Sequence, residues 1–443
     1  MKKNKFVFIT IILFILLIPG ITLQSCGSGE TPDEDIYFVV NNEGRITVKQ
    51  PYQPLEGKKR IWINGVNTPW DRWNDFGGAY NSTWWDAEFG RLREAGINAT
   101  RVWINCNNDQ GAVIIGDDGM VSGVNPLHWT HLDSFFELAK KNKIYIMATI
   151  LSFDHFITQN QRNGVWSPRD NGEKWQKVLK NKTASQSFVD YYTIPLVERY
   201  GSNPYLWSID LCNEPDWVHE DQRCYSKETK TGVPWENMSY FFALNAAAIH
   251  ENSDVLVTTG LAYTKWNKDS SYGGNGNMVS DTRLQNLYPN PNAYMDFWST
   301  HYYDWVGEWY GVPFYLSPYG SLLGNNRGWS GGWGLDPSKP AVIGECSAGG
   351  TGLNKWGLAD NNIITDYEEA LKNGWQGVMA WTSNAVDSNG GLYPVNNRPD
   401  TQLKEATLNI YTKYPDLVYP YFASKEPDPE EPEPDEPEEP NEN

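Results

Sequence analysis

The chain has 443 residues, with 36 Lys and Arg against 55 Asp and Glu, for a formal net charge of −19. Hydrophobic residues at 40% and a charged fraction of only 21% exclude wholesale disorder, and the acidic balance repels a phosphate-rich partner, so no nucleic-acid binding is expected. The 21 Trp exceed what a core needs, and indole faces are good platforms for flat apolar surfaces such as sugar rings.

In chain order, Lys2, Lys3 and Lys5 precede an apolar run from Phe6 to Ile18, then Pro19-Gly20 and Leu23-Gln24-Ser25-Cys26. The run is shorter than the roughly 20 residues of a spanning helix and is broken by Pro19, so it reads as an export signal. Leu-Gln-Ser-Cys resembles the bacterial lipobox, where cleavage before a lipidated Cys releases the mature chain. That resemblance implies a signal over 1–25, a lipid-anchored Cys26, a tether over 26–35, and a cell-envelope location, at the outer membrane or cell surface.

The body spans 36–422. Ile36 to Val48, split by Asn42-Glu43-Gly44, predicts a hairpin that caps the floor of this body. Short apolar runs then alternate with helical periods: strand Ile61–Val66, helix Trp84–Ala95 ended by Gly96, strand Ala99–Ile104, helix Trp129–Lys143, strand Ile144–Leu151, helix Phe188–Tyr200. Strand Leu206–Leu211, helix Tyr240–His250 and strands Val255–Thr259, Phe297–Thr300 and Ala341–Ile343 come next. Helix Asp366–Lys372, stopped by Gly374, and strand Gly377–Trp381 complete the series. Helices five and six have no clear period. Eight strands in this rhythm predict the α/β class and a (β/α)8 TIM barrel. The aromatic, Gly-rich stretch from Tyr302 to Asp336 is too long for a plain connection and predicts a binding loop. At the far end, 423–443 predicts a disordered tail, since Glu426 to Asn443 holds ten acidic residues and six Pro.

Apart from Cys26, the four cysteines Cys106, Cys212, Cys224 and Cys346 allow three pairings if all are paired. No Cys-x-x-Cys or compact Cys/His cluster occurs, and His128 with His131 reads as helix surface, so no metal is expected. The Asn-x-Ser/Thr sites at Asn81, Asn98, Asn181 and Asn237 read as coincidental beside a bacterial lipobox.

Chemistry on such a barrel belongs at the C-terminal ends of the strands, where Arg101, His155, Asn213, Glu214, His301, Tyr303, Glu345 and Trp381 fall. Glu214, in Ile209-Asp210-Leu211-Cys212-Asn213-Glu214-Pro215, and Glu345, in Val342-Ile343-Gly344-Glu345-Cys346, form a carboxyl pair of the kind glycosidic cleavage requires. One protonates the leaving oxygen while the other attacks the anomeric carbon or activates water to do so.

Asn213-Glu214-Pro215 after strand four and Glu345 after strand seven resemble the retaining glycoside hydrolases of the clan A barrels, family 5 most closely, over nearly the whole body. The resemblance implies Glu214 as acid/base and Glu345 as nucleophile, with no cofactor. It further implies that Arg101 keeps Glu345 ionised, Asn213 meets the sugar 2-hydroxyl, His301 attends Glu214, Tyr303 donates to Glu345 and Trp381 floors the cleaved sugar. His155 is carried over with its neighbour Asp154 as an equal alternative. The implied substrate is a β-linked polysaccharide or oligosaccharide, with endo-action on β-1,4-mannan or β-1,4-glucan preferred over a β-1,3-glucanase or exo-enzyme. A non-catalytic glycan-binding lipoprotein is the alternative of another class. Trp70, Trp73, Trp84, Trp85, Trp305, Trp309, Trp329 and Trp333 are candidates for lining sugar subsites, some of them packing only.

Overall fold

The computed structural model describes residues 37–48, 58–105, 111–162, 165–168, 171–219, 232–267, 276–303, 316–319, 332–349, 362–386, 391–393 and 401–419. The signal, Cys26, the tether, the acidic tail, Cys106, Cys224, Trp305, Trp309 and Trp329 lie outside the described residues.

Eight parallel strands close into a (β/α)8 barrel, as the alternating pattern predicts. In chain order they are β1 (Ile63–Asn67), β2 (Ala99–Trp103), β3 (Tyr145–Thr149), β4 (Leu206–Asn213), β5 (Leu256–Leu261), β6 (Trp298–Tyr302), β7 (Ala341–Ser347) and β8 (Gly377–Trp381). Each pairs with the next, and β8 pairs with β1 to close the ring. Outside the ring, helices cover apolar outward rows. Helix Ser82–Glu94 begins where the Asn81 side chain accepts from the Trp84 amide, and buries Trp85, Phe89 and Leu92. Gly96 lies just beyond its end at φ 73°, where a Cβ would meet Tyr411 at 2.7 Å, so the chain can turn there only with glycine.

Several elements differ from expectation. The third helix is not one piece over Phe188–Tyr200. Helices Gly172–Lys180, Lys182–Phe188 and Ile194–Tyr200 run in series, with a π turn at Val189–Thr193, and Asn181 caps the second. Helix Asp281–Leu287, which has too few turns to show a period, comes after β5. Helix Leu403–Lys413 packs after β8 and was not expected. His128 is fully buried rather than on the helix surface, its ring held between the Phe76 carbonyl and the Tyr192 hydroxyl. Asn81 and Asn181 serve as helix caps, and Asn98 is buried and bonded to the Trp62 carbonyl, so three of the four Asn-x-Ser/Thr sites have a local structural use.

The expected hairpin exists as strands Phe38–Val40 and Ile46–Val48, and a third strand, Lys59–Ile61, joins it. This small sheet stops the barrel's N-terminal end. Phe38 stands edge-on to Trp207 at 5.5 Å and to Phe297 at 5.3 Å, against a floor that includes Ile63, Tyr145, Met147 and Met379. Phe38→Ala leaves an aromatic-sized void in this dry layer and is expected to lower unfolding free energy by about 3–5 kcal/mol. Chemical denaturation checks this, and a loss below about 1 kcal/mol would show that the floor does not depend on the sheet.

Candidate active site

Side chains alternate across a strand, so every second residue points into the barrel. The inward rows climb from apolar to polar to aromatic: Ala99, Arg101 and Trp103 on β2, and Phe297, Ser299, His301 and Tyr303 along β6 and its two flanks. Two strands break the alternation. In β4 the pairing with β5 shifts between Asp210 and Asn213, and in β7 the pairing with β8 shifts between Ile343 and Cys346. The first shift lets Asp210 and Asn213 both reach Arg101, and the second lets Glu345 reach Arg101 while Gly344 faces His301. Glu214 sits at φ 49° and ψ 49°, its amide donating to the Gly260 carbonyl at 2.7 Å.

These features gather the site at the C-terminal mouth. Arg101, wholly buried, donates from Nη1 to Glu345 Oε1 at 2.6 Å and to Asn67 Oδ1 at 3.1 Å. Its Nη2 reaches Asp210 Oδ2 at 2.6 Å and Asn213 Oδ1 at 2.8 Å. The Tyr303 hydroxyl donates to Glu345 Oε2 at 2.8 Å. Glu214 is held on its other side, by His301 Nδ1 at 2.7 Å and by the Trp217 indole N–H at 2.7 Å. The His301 ring fits because its neighbours are Gly260 and Gly344, where a Cβ would come within 2.6 Å and 3.2 Å of it. One oxygen from each glutamate and one His301 nitrogen lie within 4.8 Å of one another. These donors converge as a metal's would, but the Arg101 cation already sits against Glu345, so a second cation there would meet direct repulsion.

The two carboxyls differ in electrostatics. Burial pushes Glu214 up to about 7, with the Trp217 hydrogen bond acting against it. Burial also raises Glu345, but a guanidinium and a phenol touch this carboxylate, so the first negative charge of the pair settles there. Burial lowers His301 to about 4, so it is a neutral imidazole near neutral pH. Burial likewise holds the Tyr303 phenol well above its usual range, as a permanent donor.

Above the pair lies a cleft of about 320 Å³, lined by Trp70, Trp103, Phe153, Asp154, Asn213, Glu214, Trp217, Tyr303, Glu345 and Trp381. Trp103 and Trp381 stand edge-on at 5.3 Å, and Trp70 meets both. The structure thus brings together Arg101, Asn213, Glu214, His301, Tyr303, Glu345 and Trp381. His155 is left out. It closes a turn begun by Ser152, with Nδ1 against Ser152 and its ring edge-on to Trp175 at 4.7 Å, while Phe153 and Asp154 face the cleft in its place.

Other expectations need correction. Trp85 and Trp333 are core residues, and Trp84 packs edge-on against Trp85 rather than lining a subsite. Trp73 packs edge-on against the cleft residue Trp70 at 4.9 Å. Cys212 and Cys346 are buried free thiols, so the four cysteines are not all paired. Five site residues went unread in the sequence: Asn67, Trp103, Phe153, Asp210 and Trp217. Asp210 carried a signal, because an acid inside an otherwise apolar strand must find a buried partner.

Among solved structures, the chain is similar to a β-1,4-mannanase from the sea hare Aplysia kurodai, at 23% identity and TM-score 0.61 over 81% of this chain and 95% of that one. A β-mannanase from the blue mussel Mytilus edulis matches at 18% identity and TM-score 0.61, over 87% and 98%. An endo-1,4-β-mannanase from Eisenia fetida matches at 20% identity and TM-score 0.61, over 85% and 95%. At these identities the likeness is one of fold. No protein-family model matches the sequence, and no curated protein does.

Trp217→Phe keeps an aromatic ring but removes the N–H that favours ionised Glu214. The Glu214 midpoint is expected to rise above about 7. Carbon NMR of carboxyl-labelled glutamate, assigned with Glu214→Gln, reads this directly, and an unmoved or lower midpoint would mean that the indole does not hold the charge.

Proposed function

We propose that the protein is a retaining β-glycoside hydrolase acting on a β-linked polysaccharide, with endo-action on β-1,4-mannan as the first choice and β-1,4-glucan next. The observation that carries this reading is the carboxyl pair. Its nearest oxygens lie within 4.8 Å, at the base of an aromatic cleft, with the Arg101 cation on one carboxylate and, among the described residues, neutral His301 and Trp217 on the other. Retaining enzymes hold their two carboxyls about 5 to 5.5 Å apart, whereas inverting ones need about 6.5 to 9.5 Å to seat a water between. The preference for mannan is supported by the solved structures of like fold, which are named as mannanases.

In this reading the ionised Glu345 attacks the anomeric carbon while protonated Glu214 gives its proton to the departing oxygen. Glu214, then ionised, takes a proton from water, and the resulting hydroxide equivalent releases the sugar from Glu345 with retained configuration. Arg101 and Tyr303 hold Glu345 in line. The Asn213 side chain, its oxygen engaged by Arg101, has its amide nitrogen at 3.5 Å from Ser152 Oγ and near enough to the cleft to meet a 2-hydroxyl. Trp381 supplies an apolar floor.

A chromatographic product profile on β-mannan, β-1,4- and β-1,3-glucans and xylan tests the reading. A ladder of manno-oligosaccharides is expected. Monosaccharide alone would mean exo-action, and laminari-oligosaccharides a β-1,3-glucanase. Binding without release would replace the reading with a glycan-binding protein. Glu345→Ala is expected to abolish release, and Glu214→Gln to slow it by about 10²–10⁴-fold. Because Glu214 must carry its proton, kcat/KM is expected to fall with rising pH through about 7, tenfold per unit beyond it. A pH profile flat to about 9 would remove Glu214 from the acid role.

We also propose that the mature chain is lipid-anchored at Cys26 in a bacterial envelope, on the strength of the Leu-Gln-Ser-Cys sequence. Metabolic labelling with a fatty-acid analogue is expected to mark the wild type and not Cys26→Ala.

A further inference from the structure

Asp210 has no part in the two proton transfers of this mechanism, yet it is the most fully engaged carboxylate near them. It is wholly buried in the middle of β4. Its Oδ2 accepts from Arg101 Nη2 at 2.6 Å, Arg101 Nε at 3.0 Å and the Thr149 hydroxyl at 3.2 Å. Its Oδ1 accepts from the Gly260 amide at 3.0 Å and the Cys212 amide at 3.3 Å. Backbone donors from its own and an adjacent strand thus fix the carboxylate, and the carboxylate fixes one edge of the guanidinium.

From this geometry we infer that Asp210 is a positioning residue that acts through Arg101. It grips the Nε edge so that Nη1 meets Glu345 and Nη2 meets Asn213, and it shares the cation that Glu345 would otherwise hold alone. A guanidinium is planar, so fixing Nε and Nη2 fixes the direction of Nη1. A cation divided between two carboxylates stabilises each less than it would stabilise one, which leaves Glu345 more basic and a better nucleophile. The titratable and charged groups around Glu345 are Arg101 from β2, Tyr303 and His301 from β6 and its end, Glu214 at the end of β4 and Cys346 next to it on β7, with Asp210 on the far edge of Arg101 and Asp154 across the cleft beside Glu214. Arg101 is the cation in direct contact with it, so a change in how that charge is divided is felt there first.

The inference deepens the hydrolase reading, and its bearing on turnover rests on that reading; its titration test does not. In Asp210→Asn, Glu345 keeps Arg101 to itself. Its midpoint, tracked by carbon NMR of carboxyl-labelled glutamate and assigned with Glu345→Gln, is expected to fall by about one unit or more, a tenfold change in proton affinity. The acidic limb of kcat/KM should move down with it, and kcat should fall more than KM rises. A merely structural role would lower the melting temperature and leave the midpoint in place, and that result would overturn the inference. Arg101→Lys supplies a second arm, because one ammonium cannot reach both carboxylates and the backbone-anchored Asp210 retains it. The Glu345 midpoint should then rise, and a midpoint that stays or falls would also overturn the inference. If wild type releases nothing from any β-glycan while both midpoints move as stated, the hydrolase reading fails and the role of Asp210 stands.

Discussion

A guanidinium that cannot lose its proton lies at the centre of this barrel with no exposure to solvent. Such a charge is tolerable only if the surrounding oxygens satisfy it, and much of the upper barrel is arranged to do so. Asp210 and Asn213 from β4, Glu345 from β7 and Asn67 from β1 converge on Arg101. Asn67 continues the network by donating to the Gly344 and Met379 carbonyls at 3.0 and 2.9 Å, tying β1 to β7 and β8. One member of the carboxyl pair, Glu345, therefore belongs to the set that neutralises the arginine, while the other, Glu214, is held beside it by His301 and Trp217. Stability and chemistry share one network, and perturbing either partner of a buried ion pair disturbs both.

The division of labour along the barrel axis comes from the same constraint. The lower layer is dry and aromatic, with Phe38, Trp207 and Phe297 packed below the polar ring. That layer keeps water from reaching Arg101 from beneath and holds the local dielectric low, which strengthens each contact above it. The outward rows carry a separate apolar core against the helices. A (β/α)8 scaffold thus supplies two hydrophobic compartments with a charged layer enclosed between strands.

Much of this was legible in the sequence, and what was not has definable causes. The strand-helix rhythm is a period signal, and it located all eight barrel strands to within a few residues. Glu214, Glu345, His301, Tyr303 and Trp381 could be read because strand ends on such a barrel are where polar and aromatic residues have no packing reason to be. Their meeting in space was implied only by resemblance. Asp210 escaped because a two-residue alternation cannot foresee the register shift that lets it and Asn213 face inward together. Between His155 and Asp154 the sequence left the choice open, because a position a few residues past a strand lies in turn geometry, and the Ser152 cap decides which side chain faces the cleft. Trp333 was misread because indole serves packing and stacking equally well, and only its contacts with Tyr302 and Trp375 distinguish the two.

The sheet that seals the floor also determines where the polypeptide meets the rest of its surroundings. Its first strand enters the fold at Phe38, and a short helix, Pro415–Val418, returns the chain to the same end, where the Leu417 carbonyl accepts from the Trp62 amide and the Val418 carbonyl from the Asn98 side chain. Both ends of the folded unit therefore lie on the face opposite the cleft. A surface, tag or neighbouring module coupled at either end has the whole height of the barrel between it and the mouth, and the open face stays clear of both points of attachment.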